Sequence, residues 1–145
     1  HPNAGGAAGN MDSHGMLCLI NGNYASSMSY NVKASANVTA YSDERLKTNW
    51  ENLPDNFVER LAQVKNGTYD RIDREIRQVG VSAQSLQPLM PEAVDEAKDE
   101  MKTLSVAYGN AALAAAVELA KEVVKLKAEL AELKSLIKNN HPIGD

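Results

Sequence analysis

From Gly109 onward the chain places apolar residues at alternating steps of four and three: Ala112, Ala116, Leu119, Val123, Leu126, Leu130, Leu133 and Ile137. This is the heptad spacing of a coiled-coil helix. With Ala116, Val123, Leu130 and Ile137 at a, the d positions are Ala112, Leu119, Leu126 and Leu133. Glu122 with Lys127, and Glu129 with Lys134, then fall at g and the following e, where charge pairs form between helices. About 30 residues of helix span roughly 45 Å, more than a core of this size can cover. Such a helix needs partner helices, most simply copies of itself. The alternative is a long amphipathic helix folded back on its own domain. Val, Ile and Leu at a with Leu at d do not choose between dimer and trimer.

The 145 residues suffice for one ordinary domain, or one small domain with appendages. With one Trp and one Phe, any core must rest on Leu, Val, Ile and Ala. The net charge of -4 has both signs interspersed, so no basic face points to nucleic acid or anionic lipid. No run approaches the roughly 20 apolar residues of a membrane span. Cys18 is the single cysteine and reads as a small apolar residue in a Leu-Cys-Leu-Ile strand. No Cys/His spacing suits zinc, and His14 and His141 read as solvated loop residues. There is no Gly-rich phosphate loop or His–Asp pairing, so neither metal nor cofactor is expected. The chain opens on His1-Pro2, with nothing like a signal peptide, and is expected to be a piece of a longer polypeptide.

Residues 1–14 have no periodicity and read as loop. Met16-Leu17-Cys18-Leu19-Ile20 reads as a short strand ending in the turn signal Asn21-Gly22-Asn23. From Met28 to Ala40 the alternation is clean, with Tyr30, Val32, Ala34, Ala36, Val38 and Ala40 on one side. That predicts a half-buried strand with a thin apolar face, which needs more sheet or more chains to pack against. Residues 1–41 therefore read as the tail end of a β-rich, oligomeric body. Asp55–Val64 has Phe57, Val58, Leu61 and Val64 at helical spacing, with Asp55 as its cap. Asn66-Gly67 reads as a turn. Thr68–Ile72 and Ile76–Val81 read as a hairpin through Asp73-Arg74, Ser82–Leu89 as a short helix, and Pro91–Val94 as a turn. Asp95–Glu100 reads as an acidic loop and Met101–Val106 as another strand.

At Ser42 the period of two stops. Ser42-Asp43-Glu44-Arg45-Leu46-Lys47 has no β-branched residue and sets acids before bases, which suits a helical turn with Ser42 as N-cap. A Ser–Lys pair is also a workable hydrolytic dyad when a neutral lysine removes the hydroxyl proton. Positions five apart on an ideal helix lie about 140° apart. The dyad therefore requires Ser42 to lie off the helix, or the lysine to come from a neighbouring subunit. The plain alternative is a cap residue and a solvated lysine.

The same six residues resemble the cleavage motif of the intramolecular chaperone domain of bacteriophage tail fibres, tailspikes and endosialidases. The module is also similar to the self-cleaving domain of the myelin regulatory factor family. A second stretch, Gly80-Val81-Ser82-Ala83-Gln84 closing on Leu89-Met90-Pro91-Glu92-Ala93-Val94, is similar to that family's Gly-Val-x-Ala-Gln and Leu-x-Pro-Glu-x-Val segment. Val106-Ala107-Tyr108 then leads into the heptad helix. The resemblance covers roughly residues 40–138, with its three parts in order. It implies a homotrimer that holds three chains in register while the preceding fibre folds, then cuts itself off between Tyr41 and Ser42. Ser42 carries over as nucleophile and Lys47 as general base. Asp43, Arg45 and Asn49 are candidates for positioning the dyad, and read equally as caps and surface charges.

The expectation is thus an α+β chain with a short β-strand stem (1–41), a small mixed globular region (42–108), a trimerising coiled-coil helix (109–138) and a tail (139–145). The trimer seam is Ala116, Leu119, Val123, Leu126, Leu130, Leu133 and Ile137. The partners expected are two further copies and the preceding fibre segment of the same chain, assembled in the host cytoplasm, with the parent in the virion tail. Two alternatives are a trimerisation module without proteolysis and a receptor-binding fibre tip presenting loop 65–75.

Overall fold

A computed structural model describes residues 34–140, together with the backbone of Asn10–Met11 and Leu17–Cys18. The loop expected over 1–14, the rest of the Met16–Ile20 strand with its turn, the first half of the Met28–Ala40 strand, the side chain of Cys18, His14, His141 and the end of the tail lie outside the described residues. Two units are distinguished, residues 1–48 with 97–103 and residues 49–96 with 104–145.

In the first unit, β1 (Asn10–Met11) pairs antiparallel with β2 (Leu17–Cys18) in the register Met11 to Leu17. Residues 34–40, expected to complete a long strand, join no ladder and are exposed throughout. Alternation alone cannot hold a strand. Its backbone donors need an adjacent edge, and none of the described strands supplies one. The chain then tightens into a single 3-10 turn, Glu44–Leu46. Residues 97–103 form a turn closed by Asp99, whose carboxylate accepts from the Thr103 amide (2.8 Å) and hydroxyl (2.6 Å).

The second unit is built on short elements around one small core. Helix α1 (Phe57–Leu61) is shorter than its periodicity suggests, and Asn56, not Asp55, stands at its N-cap. Its start is set by Pro54, whose carbonyl accepts from the Phe57 amide at 2.9 Å. Strands β3 (Asn66–Asp70) and β4 (Arg77–Val81) form the expected hairpin, pairing Asn66 with Val81 and Asp70 with Arg77. Asn66-Gly67 is therefore the start of a strand, not a turn. Gly67 pairs directly with Gly80, and its φ of 142° is open to glycine alone. Ion pairs from Arg71 to Asp73 and from Arg77 to Asp70 brace the hairpin end, and of the segment 65–75 the first part lies in β3 while 71–75 form the turn.

Helix α2 (Ala83–Leu86) begins at Ser82, whose hydroxyl accepts from the Ser85 amide. Ser85 ties this turn to the hairpin, because its Oγ accepts from the Lys65 amide at 3.0 Å and donates to the Ser82 carbonyl. A 3-10 turn at Pro91–Ala93 leads into β5 (Val94–Glu96), which pairs with β6 (Leu104–Val106). The predicted acidic loop thus yields its first residues to a strand.

Phe57, 1% exposed, is the centre of the core, with Val64, Leu86, Leu89, Met90, Ala93 and Ala111 around it. Arg60 crosses over to donate to the Pro88 carbonyl at 2.8 Å, fixing α1 against the turn after α2. Ala111 is the only described residue of α3 (Tyr108–Asn140) that is buried. At 33 residues α3 is about 50 Å long, and only its first turns meet the core.

The start of α3 is locked to the hairpin by one side chain. Tyr108 Oη accepts a hydrogen bond from the Val81 amide at 3.3 Å. A Cβ on Gly80 would lie 2.5 Å from that same oxygen, so this glycine is required for close approach. Gly80→Ala is expected to cost about 1–3 kcal/mol through overpacking. Most of that loss should vanish in a Tyr108→Phe background, which removes the oxygen. Urea unfolding of the four proteins in a double-mutant cycle measures the coupling.

Candidate active site

The six residues from Ser42 to Lys47 form a tight turn whose geometry is set by Asp43. Asp43 has extended backbone (φ −64°, ψ 126°) and caps the 3-10 turn, its carboxylate accepting from the Arg45 amide at 2.9 Å. Ser42, expected in that capping role, stands one residue outside it. Asp and Ser are about equal as caps, but only Asp43 can also take the Arg45 guanidinium. That group donates from Nε to Oδ1 (3.0 Å) and Oδ2 (3.1 Å), and from Nη2 to Oδ2 (2.6 Å).

The turn closes with the Leu46 amide donating to the Asp43 carbonyl (3.1 Å) and the Lys47 amide to the Glu44 carbonyl (3.0 Å). Lys47 leaves it in extended conformation (φ −127°, ψ 143°). Neither Ser42 nor Lys47 is therefore helical, and the 140° separation of an ideal helix does not apply. The long lysine side chain folds back over the turn, and its Nζ donates to Ser42 Oγ at 2.7 Å. This contact is made within one chain, with Ser42 off the helix. Tyr41, just before the turn, is 99% exposed, and Ser42 and Lys47 are both exposed in the isolated chain. Asn49 opens the second unit with a left-handed backbone (φ 53°), a conformation asparagine tolerates better than most residues.

The Asp43 carboxyl is held below the ordinary carboxylate range. The Arg45 side chain is the main cause, followed by the Arg45 amide, with a smaller contribution from the charge of Lys47. The guanidinium of Arg45 is correspondingly held more firmly protonated.

The expected seam residues fall along one helix. Leu119, Val123, Leu126, Leu130, Leu133 and Ile137 are 43–54% exposed, and nothing in the described part of the chain covers them. The sequence reading did not find the Asp43–Arg45 chelate or the Tyr108–Val81 lock. Asp43 beside Ser42 offered two equal caps, and a tyrosine bonded to an amide 27 positions away leaves no local signal.

Residues 42–95 match the model of a peptidase family described as the chaperone of endosialidase. Residues 42–95, which include Ser42 and Lys47, are thus similar to the chaperone domain of this family. The matched region opens on Ser42 and runs through α1, the β3–β4 hairpin and α2 to β5. Among curated proteins, the chain is 35% identical over 99 residues to the long tail fiber protein Gp37 of Enterobacteria phage M1, covering 61% of this chain and 39% of that protein. It is also 35% identical over 96 residues to the Gp37 of Enterobacteria phage Ox2, covering 59% and 38%. The chain spans about two fifths of the length of the curated relatives it matches.

Replacing Arg45 by Ala is expected to return the Asp43 carboxyl toward its ordinary range, as read by NMR titration of the intact chain. In the unsubstituted chain, the stabilisation from this lowered carboxyl is present above the ordinary carboxylate pKa. It is lost only as pH falls through the lowered value. An Asp43 titration unchanged in Arg45→Ala would contradict the account of the turn.

Proposed function

We propose that this chain is the chaperone part of a phage tail fibre, that it assembles as a homotrimer through α3, and that it then cuts itself between Tyr41 and Ser42. The observation that carries the reading is the 2.7 Å contact from Lys47 Nζ to Ser42 Oγ. It is made by a turn directly after an exposed Tyr41, and the family match opens on the same serine.

In this mechanism the uncharged Lys47 amine takes the proton from Ser42 Oγ. The oxygen attacks the Tyr41 carbonyl carbon, and the Tyr41–Ser42 C–N bond breaks as the Ser42 nitrogen takes up a proton. The product is an ester joining the Tyr41 carboxyl to Ser42 Oγ, with a free amine on Ser42. Water then opens the ester, leaving a Tyr41 carboxylate and a restored Ser42 hydroxyl. The step needs lysine in its neutral form, and desolvation is the physical route to that form. In the isolated chain the pair faces water, so the reaction belongs to the assembled state, in which further chains exclude solvent. Cleavage then follows assembly and makes it irreversible.

Assembly itself has a physical rationale. Intertwined β-fibres depend on non-local contacts, and pairing them from separate chains is slow and prone to misregister. A self-associating helix raises the effective concentration of the strands before they pair. The segment upstream of Ser42, with residues 34–40 exposed and unpaired in the single chain, is the part such pairing would complete. On this reading, folding takes place in the host cytoplasm and the parent fibre ends in the virion tail.

The test is expression of the unsubstituted, Ser42→Ala and Lys47→Ala chains, with intact mass and oligomeric state measured for each. The unsubstituted chain should give a fragment beginning at Ser42. Both variants should stay whole, slowed at least about a hundredfold, and remain trimeric. A Ser42→Ala chain still cut at this bond would overturn the mechanism, whereas uncut trimers of the unsubstituted chain would favour a trimerisation module without proteolysis. Leu126→Asp with Leu130→Asp should give monomers by sedimentation, and cleavage should be lost although the turn is untouched.

A further inference from the structure

We infer that Arg45 is a positioning residue for the self-cleavage, occupying Asp43 so that the Lys47 amine stays aimed at Ser42 and is not drawn to the Asp43 carboxylate. The inference rests on the reading of Ser42 as nucleophile and Lys47 as base.

The turn packs four charged side chains into consecutive or near-consecutive positions: Asp43, Glu44, Arg45 and Lys47. Asp43 is close enough to Lys47 for the ammonium charge to be felt at its carboxyl. A carboxylate beside an ammonium favours the charged form of both groups. Left alone, Asp43 would therefore act against a base in two ways. It would hold the proton on Lys47, and it would offer Nζ a charged acceptor in place of the neutral Ser42 hydroxyl. Charge-assisted hydrogen bonds are roughly twice as strong as neutral ones, so the carboxylate would win that competition.

Arg45 works against both effects. Its guanidinium takes both carboxylate oxygens, with Nε on Oδ1 and Oδ2 and Nη2 on Oδ2, while its own amide takes Oδ1. The guanidinium also offsets part of the Asp43 charge, and unlike lysine it cannot give up its proton at accessible pH. The Arg45 side chain is 89% exposed, and an ion pair that exposed contributes little to stability. Its geometry is nonetheless a full two-oxygen chelate, and beside it Nζ of Lys47 lies on Ser42 Oγ at 2.7 Å.

The charge role and the capping role can be separated, because asparagine caps as well as aspartate but carries no charge. The experiment follows cleavage of the full chain after dilution from urea into buffers from about pH 6 to about pH 10, a range that brackets the titration of a general base. The chains compared are the unsubstituted one, Arg45→Gln, Arg45→Lys, Asp43→Asn, the Asp43→Asn/Arg45→Gln pair, and Ser42→Ala as control. Arg45→Gln is expected to cleave about tenfold more slowly near neutrality, with the rising limb of its pH–rate profile moved to higher pH by about one unit. Asp43→Asn/Arg45→Gln should bring that limb back toward the unsubstituted position, and Arg45→Lys, which keeps the charge without the fork, should fall between.

A merely structural Arg45 would scale the rate down equally at every pH, and the double substitution would recover nothing. Either result overturns the inference. The control separates this from failure of the underlying reading. If Ser42→Ala is also cut, the nucleophile assignment falls and takes the inference with it. If Ser42→Ala is silent and the limb does not move, the Arg45 inference falls alone.

Discussion

The apolar stripe of α3 asks for partners that the described part of its chain does not provide. Leucines and valines from Leu119 to Ile137 stay about half in water along a helix of 33 residues. Burying such side chains is worth about 25 cal/mol per Å², a driving force toward association that grows with every heptad. The small core around Phe57 anchors only the first turns of this helix. Tyr108 fixes how the helix leaves that core, through the Val81 amide and the space left by Gly80. That joint sets the direction in which the helix leaves the core, and under the proposed assembly any slack there would be passed on to the chains the helices align.

The Ser42–Lys47 turn answers a different constraint. A peptidase that acts on its own chain needs no substrate pocket, since the scissile bond is already attached to the nucleophile. What it needs is a local backbone shape that brings a base to one hydroxyl. Asp43 supplies that shape by capping a single 3-10 turn, and extended backbone on either side lets Lys47 fold back. The pair remains exposed in one chain. Under the proposed mechanism, chemistry that depends on a neutral lysine would be held back until chains come together.

The long C-terminal helix was legible because its periodic signal is carried entirely by residues within one element. The β3–β4 hairpin was legible for the same reason, down to its Asp73-Arg74 end. Asn66-Gly67 misled because a glycine that usually turns the chain here serves a strand facing Gly80. Helix α1 came out shorter than Asp55–Val64 because its start is set by the backbone after Pro54. The alternation over residues 34–40 was real, but a strand is a relation between segments, and its partner is not among the described ones. At the candidate site the residue types were visible while the contact was not. Whether Ser42 and Lys47 meet depended on which of two adjacent caps would start the turn, and the Arg45 side chain made Asp43 the winner.

The central claim is that Ser42 attacks its own peptide bond and passes through an ester. Refolding the full chain from urea in the presence of hydroxylamine tests this most directly. The account predicts that the fragment ending at Tyr41 carries a hydroxamate, heavier than the free acid by one NH, as read by its mass. If that fragment ends only in a carboxylate, at hydroxylamine concentrations that capture a model serine ester, then water attacks the peptide bond directly and the account is wrong.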